Sequence, residues 1–258
     1  MVAITLTSDW IQGDSYEGML RGEICKLSQE LAVPPLALHT VSNHIRSFDV
    51  RMGVFVLKQV FSHFPLGSIH ILAVQAQPTD RLPMVIAYYQ GHYFITVNDG
   101  RLSLLFDSAP DWVRAVYATD HTFSELDCYA KALRAIVANK MDSLTLPGEM
   151  KSEVIQGVVA ESDCIIGQVV YLDSYGNGIT NISRALYDKI GKGRSLTLYI
   201  QGPYTKIQCI SQHYSDVRPG ELVALFNSAG MLEIAVFMGN LAQLENVSLY
   251  AEVQIQFN

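Results

Sequence analysis

The sequence predicts an α/β protein: an N-terminal, doubly wound and mostly parallel sheet domain over residues 1–145, then a smaller C-terminal β-barrel domain over residues 154–258. Three observations carry that expectation. Residues 2–74 read strand–helix–strand–helix–strand, an order that calls for parallel pairing with helices on both faces. Beyond residue 154 the chain changes to short β-rich runs separated by turn residues, the pattern of a small barrel or sandwich. Between the two, residues 141–153 are polar and contain Pro147-Gly148, which marks a linker.

Residues 2–7 form an apolar run suited to a strand buried on both faces. Asp14 can cap a helix that reaches about Glu30, because Tyr16, Met19, Leu20, Ile24 and Leu27 recur at helical spacing. Pro34-Pro35 stops that helix, and residues 36–41 make a second strand. A polar loop at 42–47 delivers Phe48-Asp49, and an apolar helix over 50–64 ends at Pro65-Leu66-Gly67. Residues 68–74 are a third strand. In such sheets ligands gather beyond the carboxyl ends of the strands, which groups Asp9 with the loops at 42–49 and 75–81. Residues 84–89 and 92–97 alternate around Gln90-Gly91 and predict a hairpin. A turn at Asn98-Asp99-Gly100, a short helix over 102–106, a short strand over 115–118 and a helix from Ser124 to about Asn139 complete this half.

In the second half, runs at 156–160, 165–172, 195–200, 207–212, 222–226, 231–236 and 248–257 predict strands, with one helix over 184–190. Gly191-Lys192-Gly193-Arg194-Ser195 follows a helix and precedes a strand, the reverse of a phosphate loop, and predicts a plain turn.

Composition excludes several functions. Of 258 residues 49% are hydrophobic and only 17% charged, which suggests a buried subunit interface besides the cores. A net charge of −7 without a Lys/Arg cluster argues against a nucleic-acid partner. Cys25, Cys128, Cys164 and Cys209 form no C-x-x-C pair and the histidines are dispersed, so reduced thiols, a cytoplasmic setting and no metal site are expected. Met1 leads straight into a strand without a basic leader region, and no apolar run approaches the ~18 residues of a membrane span. No G-x-S-x-G is present, so a serine hydrolase is not expected.

The stretch Tyr171-Leu172-Asp173-Ser174-Tyr175-Gly176-Asn177-Gly178-Ile179-Thr180-Asn181-Ile182 stands out. An apolar strand runs into a carboxylate, a ring, a Gly-Asn-Gly turn and an amide. Its plain reading is a β-turn between strands. Its functional reading is a wall for a small polar ligand that carries a ring, since the glycines let the backbone lie close.

Several segments together resemble the S-adenosyl-L-methionine hydroxide adenosyltransferase family, relatives of the fluorinase and chlorinase. The resemblance runs almost end to end. It is carried by Thr5-Leu6-Thr7-Ser8-Asp9, Asp14-Ser15-Tyr16-Glu17-Gly18-Met19-Leu20-Arg21-Gly22, Phe64-Pro65-Leu66-Gly67-Ser68-Ile69-His70, Asn98-Asp99-Gly100-Arg101-Leu102, the 171–182 stretch, and Asn227-Ser228-Ala229-Gly230-Met231-Leu232-Glu233-Ile234-Ala235-Val236. The resemblance implies a homotrimer whose adenosyl ligand lies between the N-terminal domain of one subunit and the C-terminal domain of its neighbour. It implies that Asp9 holds the ribose hydroxyls and that Phe48 packs near the ribose. Asp173, Tyr175 and Asn177 would flank the adenine and the methionine end. Ser228 would bind the methionine carboxylate or amine, and the backbone of Val236 to Met238 would read the adenine edge. No cofactor is implied beyond S-adenosyl-L-methionine as substrate or ligand.

The departures bear on catalysis. The family's hydroxide-transferring members are similar to one another in an Asp-Pro-Gly-Val-Gly-Thr-x-Arg loop and a Thr-Phe-His-Gly-Arg-Asp helix start. The resemblance implies that the Asp, Arg and His prepare water to displace methionine at the ribose C5′. Here the loop is Gln75-Ala76-Gln77-Pro78-Thr79-Asp80-Arg81, one residue shorter, and the helix start is Thr122-Phe123-Ser124-Glu125-Leu126-Asp127. Arg81 remains, while Gln75 and Ser124 stand at the Asp and His positions. Gln75 can orient water but not take its proton, and a positioned base typically contributes ~10²–10⁴-fold. Asp80, Glu125 and His121 are the nearby groups able to stand in. The fluorinase's long insertion and its Tyr-Pro-Ala-Thr-Gly loop are absent, which argues against halide transfer. The expectation is an S-adenosyl-L-methionine hydrolase with Arg81, Gln75 and Ser124 at the reactive positions. The alternative is a catalytically impaired protein that binds adenosine or S-adenosylmethionine.

Overall fold

The computed structural model describes residues 3–11, 13–118, 123–152 and 157–258, in two compact units, Met1–Val154 and Ile155–Asn258. In the first unit β1 (Ala3–Ser8), β2 (Ala37–Ser42), β3 (Ile69–Ala73), β4 (Met84–Tyr89), β5 (His92–Val97), β6 (Trp112–Val116) and β7 (Leu146–Gly148) form one sheet in the order β2-β1-β3-β5-β4-β6-β7. The pairings among β2, β1, β3 and β5 are parallel. Those of β4 with β5 and β6, and of β6 with β7, are antiparallel. The two-residue turn at Gln90 (φ 50°) and Gly91 (φ 82°) can join only antiparallel neighbours, so the sheet is mixed, with its parallel half at the β2 edge.

Helices α1 (Ser15–Glu30), α2 (Val50–Val60), α3 (Arg101–Leu105), α4 (Ser124–Val137) and α5 (Met141–Leu144) belong to this unit. Leu20, Ile24 and Leu27 of α1 share a core with Tyr129 and Leu133 of α4 over Ile4, Leu6 and Ile71. On the opposite face Val54 and Leu57 of α2 pack with Leu102 and Leu105 of α3 over Leu72, Val74 and Phe94. The doubly wound arrangement therefore holds. The helix expected over 50–64 tightens after Val60 into a 3₁₀ turn, Phe61–His63. Residues 141–153, expected as a linker, instead supply α5 and β7, whose Leu146 and Gly148 pair with Ala115 and Val113. Pro147 is tolerated there because β7 is the edge strand and its missing donor leaves no ladder bond unmade.

The second unit holds β8 (Val159–Ala160), β9 (Cys164–Leu172), β10 (Gly178–Ser183), α6 (Arg184–Gly191), β11 (Leu196–Ile200), β12 (Thr205–Ile207), β13 (Leu222–Phe226), β14 (Met231–Val236), α7 (Leu241–Leu244) and β15 (Glu252–Phe257). The strands run β12-β11-β15-β9-β10-β14-β13, with β8 on β9. After β12 the chain reaches the other edge, where Ser211 bridges Leu225 of β13, so the sheet is a nearly closed barrel. Val169, Leu198, Ile234, Val253 and Ile255 fill its interior. Arg194 folds its guanidinium onto the carbonyls of Ile190 and Gly191, ending α6 as the plain turn expected there. Among the described residues no helix is long and apolar enough to cross a membrane.

Candidate functional site

The strand order β2-β1-β3 means that the chain leaves β1 towards one side and returns across it to β3. The order reverses between β1 and β3, and the crevice beyond their carboxyl ends is where sheets of this kind take ligands. Asp9 follows β1 directly, and Gln75 follows β3 by two residues. The Asp9 Oδ2 accepts the backbone N–H of Phe48 at 2.9 Å and that of Gln75 at 3.4 Å. One carboxylate thus ties the loops after β2 and β3 to the end of β1. Both tied residues are left-handed, φ 66° at Phe48 and 44° at Gln75. Such backbone costs a side-chain-bearing residue about 1–2 kcal/mol, and it concentrates at working sites. Phe48 is 73% exposed, a ring held out where a ligand can pack on it.

Arg101 supports Gln75 from the other side. Its guanidinium is buried, bonds Asp99 at 2.6 Å, and donates to the carbonyls of Val74 at 2.6 Å and Gln75 at 3.1 Å. Burial works to raise the Asp99 carboxyl, but the hydrogen bonds and charge of Arg101 more than offset it and hold it below the usual carboxylate range. The Gln75 backbone is therefore clamped at its N–H by Asp9 and at its C=O by Arg101, while its side chain is exposed.

Trp10 brings the start of α4 to the same end of the sheet. Its ring packs on Phe123 and Tyr129 at centroid distances of 6.0 and 6.4 Å. Ser124, the first residue of α4, is buried, and Glu125 next to it is partly buried. Among the described residues no hydrogen bond or ion pair joins the Arg81 side chain to Asp9, Gln75, Ser124 or Glu125. Thr79 and Leu82 exchange backbone hydrogen bonds of 2.9 and 3.1 Å, and Asp80-Arg81 form the exposed tip between them. The Arg81 carbonyl accepts from Lys151 Nζ at 2.7 Å. His121 lies outside the described residues.

In the second unit, the turn between β9 and β10 is built around Asp173. Its Oδ1 accepts the backbone N–H groups of Tyr175 and Asn177 at 2.9 and 2.8 Å, and its Oδ2 accepts the Asn177 side-chain amide at 3.0 Å. Asp173 and Asn177 therefore organise the turn, and what the turn presents is Tyr175, 74% exposed. Gly176 has φ 79°, and a Cβ there would lie 2.2 Å from Asn240 Oδ1, so only glycine fits. The turn between β13 and β14, at the other end of the β10–β14 pair, carries exposed Ser228 and is closed by Asn227, whose Oδ1 accepts from Ala229 and Met231, both at 3.1 Å. At the third segment the Val236 carbonyl accepts from Gly239, and both backbone groups of Phe237 pair within the β13–β14 hairpin. Met238 is left-handed at φ 56° and 80% exposed.

The family's N-terminal profile, described as the SAM hydroxide adenosyltransferase N-terminal domain, matches residues 4–145, and its C-terminal profile matches residues 167–254. The chain belongs to the SAM hydroxide adenosyltransferase family. The (R)-S-adenosyl-L-methionine hydrolase of Methanocaldococcus jannaschii is 25% identical over an alignment of 269 residues that covers 98% of this chain and 95% of that protein. The protein of the same name from Salinispora tropica is 26% identical over 264 residues, 95% of this chain and 94% of that one. An uncharacterized conserved protein from Thermotoga maritima shares the fold, with a TM-score of 0.83 at 21% identity over 98% of this chain and 99% of its own.

Within this SAM hydroxide adenosyltransferase chain, sequence reasoning passes over three groups that the structure brings forward. Arg101 carries a signal in hindsight: a lone charge opening an apolar helix two residues after an aspartate. Tyr129 reads only as a core ring. Glu233 is the single charge in the apolar strand β14, buried, with its carboxylate bonded by Tyr214 Oη and by Asn227 Nδ2 at 3.2 Å. Burial, then the Glu233 hydrogen bond, raise the Tyr214 phenol, and the Asp173 charge adds to the shift.

Proposed function

We propose that this protein hydrolyses S-adenosyl-L-methionine to adenosine and methionine, with water attacking the ribose C5′. The observation that supports this most is Asp9. Its carboxylate is fixed beside the β1/β3 switch point by two backbone N–H groups and adjoins a strained, exposed ring at Phe48. A carboxylate suits a ribose diol, and Phe48 and Tyr175 offer ring faces to a nucleoside. In this reading Gln75 and Arg81 orient the water, and Ser228 with the Val236–Met238 segment takes the methionine end and the adenine edge. The sulfonium is already a good leaving group, so positioning alone supplies part of the rate. We further propose a homotrimer in which two neighbouring copies each supply one wall, acting in the cytoplasm without a cofactor, nucleic acid or membrane. The free thiols of Cys25, Cys128, Cys164 and Cys209 suit a reducing compartment.

Gln75 and Ser124 favour a second reading, a protein that binds adenosyl compounds without turnover, because neither is a competent base. Incubation with S-adenosylmethionine and chromatography for adenosine separates the two. Adenosine above the no-protein background is expected. Its absence, with calorimetric binding of adenosine retained, would refute the hydrolase reading in favour of the second. Light scattering of the purified protein tests the trimer, and a monomeric mass would sink it.

A further inference from the structure

Of the groups able to take a proton near Gln75 and Ser124, Asp80 sits on an exposed turn and His121 lies outside the described residues. Glu125 is placed differently. Its Oε2 is buried and has no hydrogen-bond partner among the described residues. One helical turn on, the Tyr129 hydroxyl is in the same condition, and so is Ser8 Oγ at the carboxyl end of β1. Tyr129 and Ser8 are both fully buried. Ser8 alternates with Ile4 and Leu6, which face α4 in the shared core, so the two orphan hydroxyls belong to one side of the sheet. Trp10, packed on Phe123 and Tyr129, fixes the first turn of α4 beside the residue that follows Asp9.

Each buried polar group left unpaired costs roughly 1–3 kcal/mol, and two in the first turns of α4 with a third at the carboxyl end of β1 call for a reason. Function supplies one here, since Trp10, the residue after the proposed ribose-binding Asp9, packs against the start of α4. We propose that Glu125 is the proton acceptor for the attacking water in this chain, replacing the histidine whose place Ser124 takes; this rests on the hydrolase reading above. The water oxygen bonds to C5′ as the C5′–sulfur bond breaks. That bond's electron pair goes to sulfur, which leaves as the neutral thioether of methionine. The water's proton passes to the Glu125 carboxylate and then to solvent. Burial pushes the Glu125 carboxyl up, the direction that makes its carboxylate a stronger base. Cys128 and Tyr129 on its own helix lie within its electrostatic reach. Asp9 and Arg101 act on the same Tyr129 phenol.

The test measures adenosine release against pH for the wild type, E125Q and E125D, with the adenosine Kd by calorimetry alongside. For E125Q we expect kcat to fall ~10²–10⁴-fold with Kd within about twofold of wild type, and the acidic limb of the kcat–pH profile to vanish. E125D is expected to retain an acidic limb, displaced along the pH axis, at a lower kcat. A wild-type kcat and acidic limb in E125Q would overturn the role of Glu125 and leave the hydrolase reading standing. No adenosine from the wild type would overturn both. Where E125Q does not fold, E125D decides: a lowered kcat with a displaced limb supports the role, and an unchanged profile refutes it.

Discussion

His70 makes the first unit's stability depend on pH below the ordinary imidazole value. It lies mid-strand in β3, fully buried, with Nδ1 2.8 Å from Thr5 Oγ1 and Nε2 3.2 Å from His92 Nδ1. The rings of Phe61, Phe64 and Phe94 surround it at 5.1 to 6.2 Å. Burial, and then the neighbouring His92, push its pKa down from 6.5 to about 3. The folded unit therefore keeps His70 neutral, whereas the unfolded chain protonates it as pH falls below the ordinary value. Between these two pKa values the unfolded state binds more protons, so stability rises with pH, is fully present above pH 6.5, and is lost progressively towards pH 3. Going from pH 7.5 to pH 5.0, this single residue removes about 2 kcal/mol of stability. His92, also lowered by burial, acts in the same direction.

Both tryptophans, Trp10 and Trp112, belong to the first unit, so urea denaturation followed by tryptophan fluorescence reports on it selectively. The wild type should lose about 2 kcal/mol or more between the two pH values. His70→Gln, which keeps an amide for Thr5 but does not titrate there, should lose distinctly less. Equal pH dependence in the two proteins, or an NMR titration placing His70 near its ordinary pKa, would refute the reasoning.

Arg101→Met removes the guanidinium that pairs with Asp99 and donates to the Val74 and Gln75 carbonyls; it should cost ~3–5 kcal/mol in the same denaturation assay. Asp173→Ala removes the acceptor for three hydrogen bonds of the β9–β10 turn, and thermal unfolding of the second unit should show a loss of about 1–3 kcal/mol together with weaker adenosine binding. Gly176→Ala forces both a left-handed alanine and displacement of Asn240, whose Oδ1 caps α7 through Gln243 N; roughly 2–3 kcal/mol should be lost in that unit's unfolding. Gln75→Asp combined with Ser124→His should raise adenosine release if residue identity limits turnover, and an unchanged rate would assign the limit to the shortened 75–81 loop.

What the sequence discloses and what it conceals follow from the range of the interactions involved. The apolar spacing of Leu20, Ile24 and Leu27 is local, so α1 is legible; so is the β4–β5 hairpin, whose turn residues sit beside the strands they join. Pro147-Gly148 reads as a break because its local chemistry is that of a turn, and only pairing with β6, more than thirty residues earlier, makes it an edge strand. The same division runs through the site. Asp9 is legible as a polar residue at the end of a buried strand, but its bonds to Phe48 and Gln75 span 39 and 66 residues. Asp173 and Asn177 look like ligand groups in a list of polar side chains, yet their partners are four residues away or fewer, and that short reach turns them inward onto their own turn. Polar residues whose bonds close locally build the frame, leaving Tyr175 to face solvent. Residues whose local bonds do not close, Glu125 and Tyr129 among them, are where chemistry has room to act. In the proposed hydrolase reading, the unpartnered Glu125 Oε2 directs the search for a base to α4 rather than to the loop after β3.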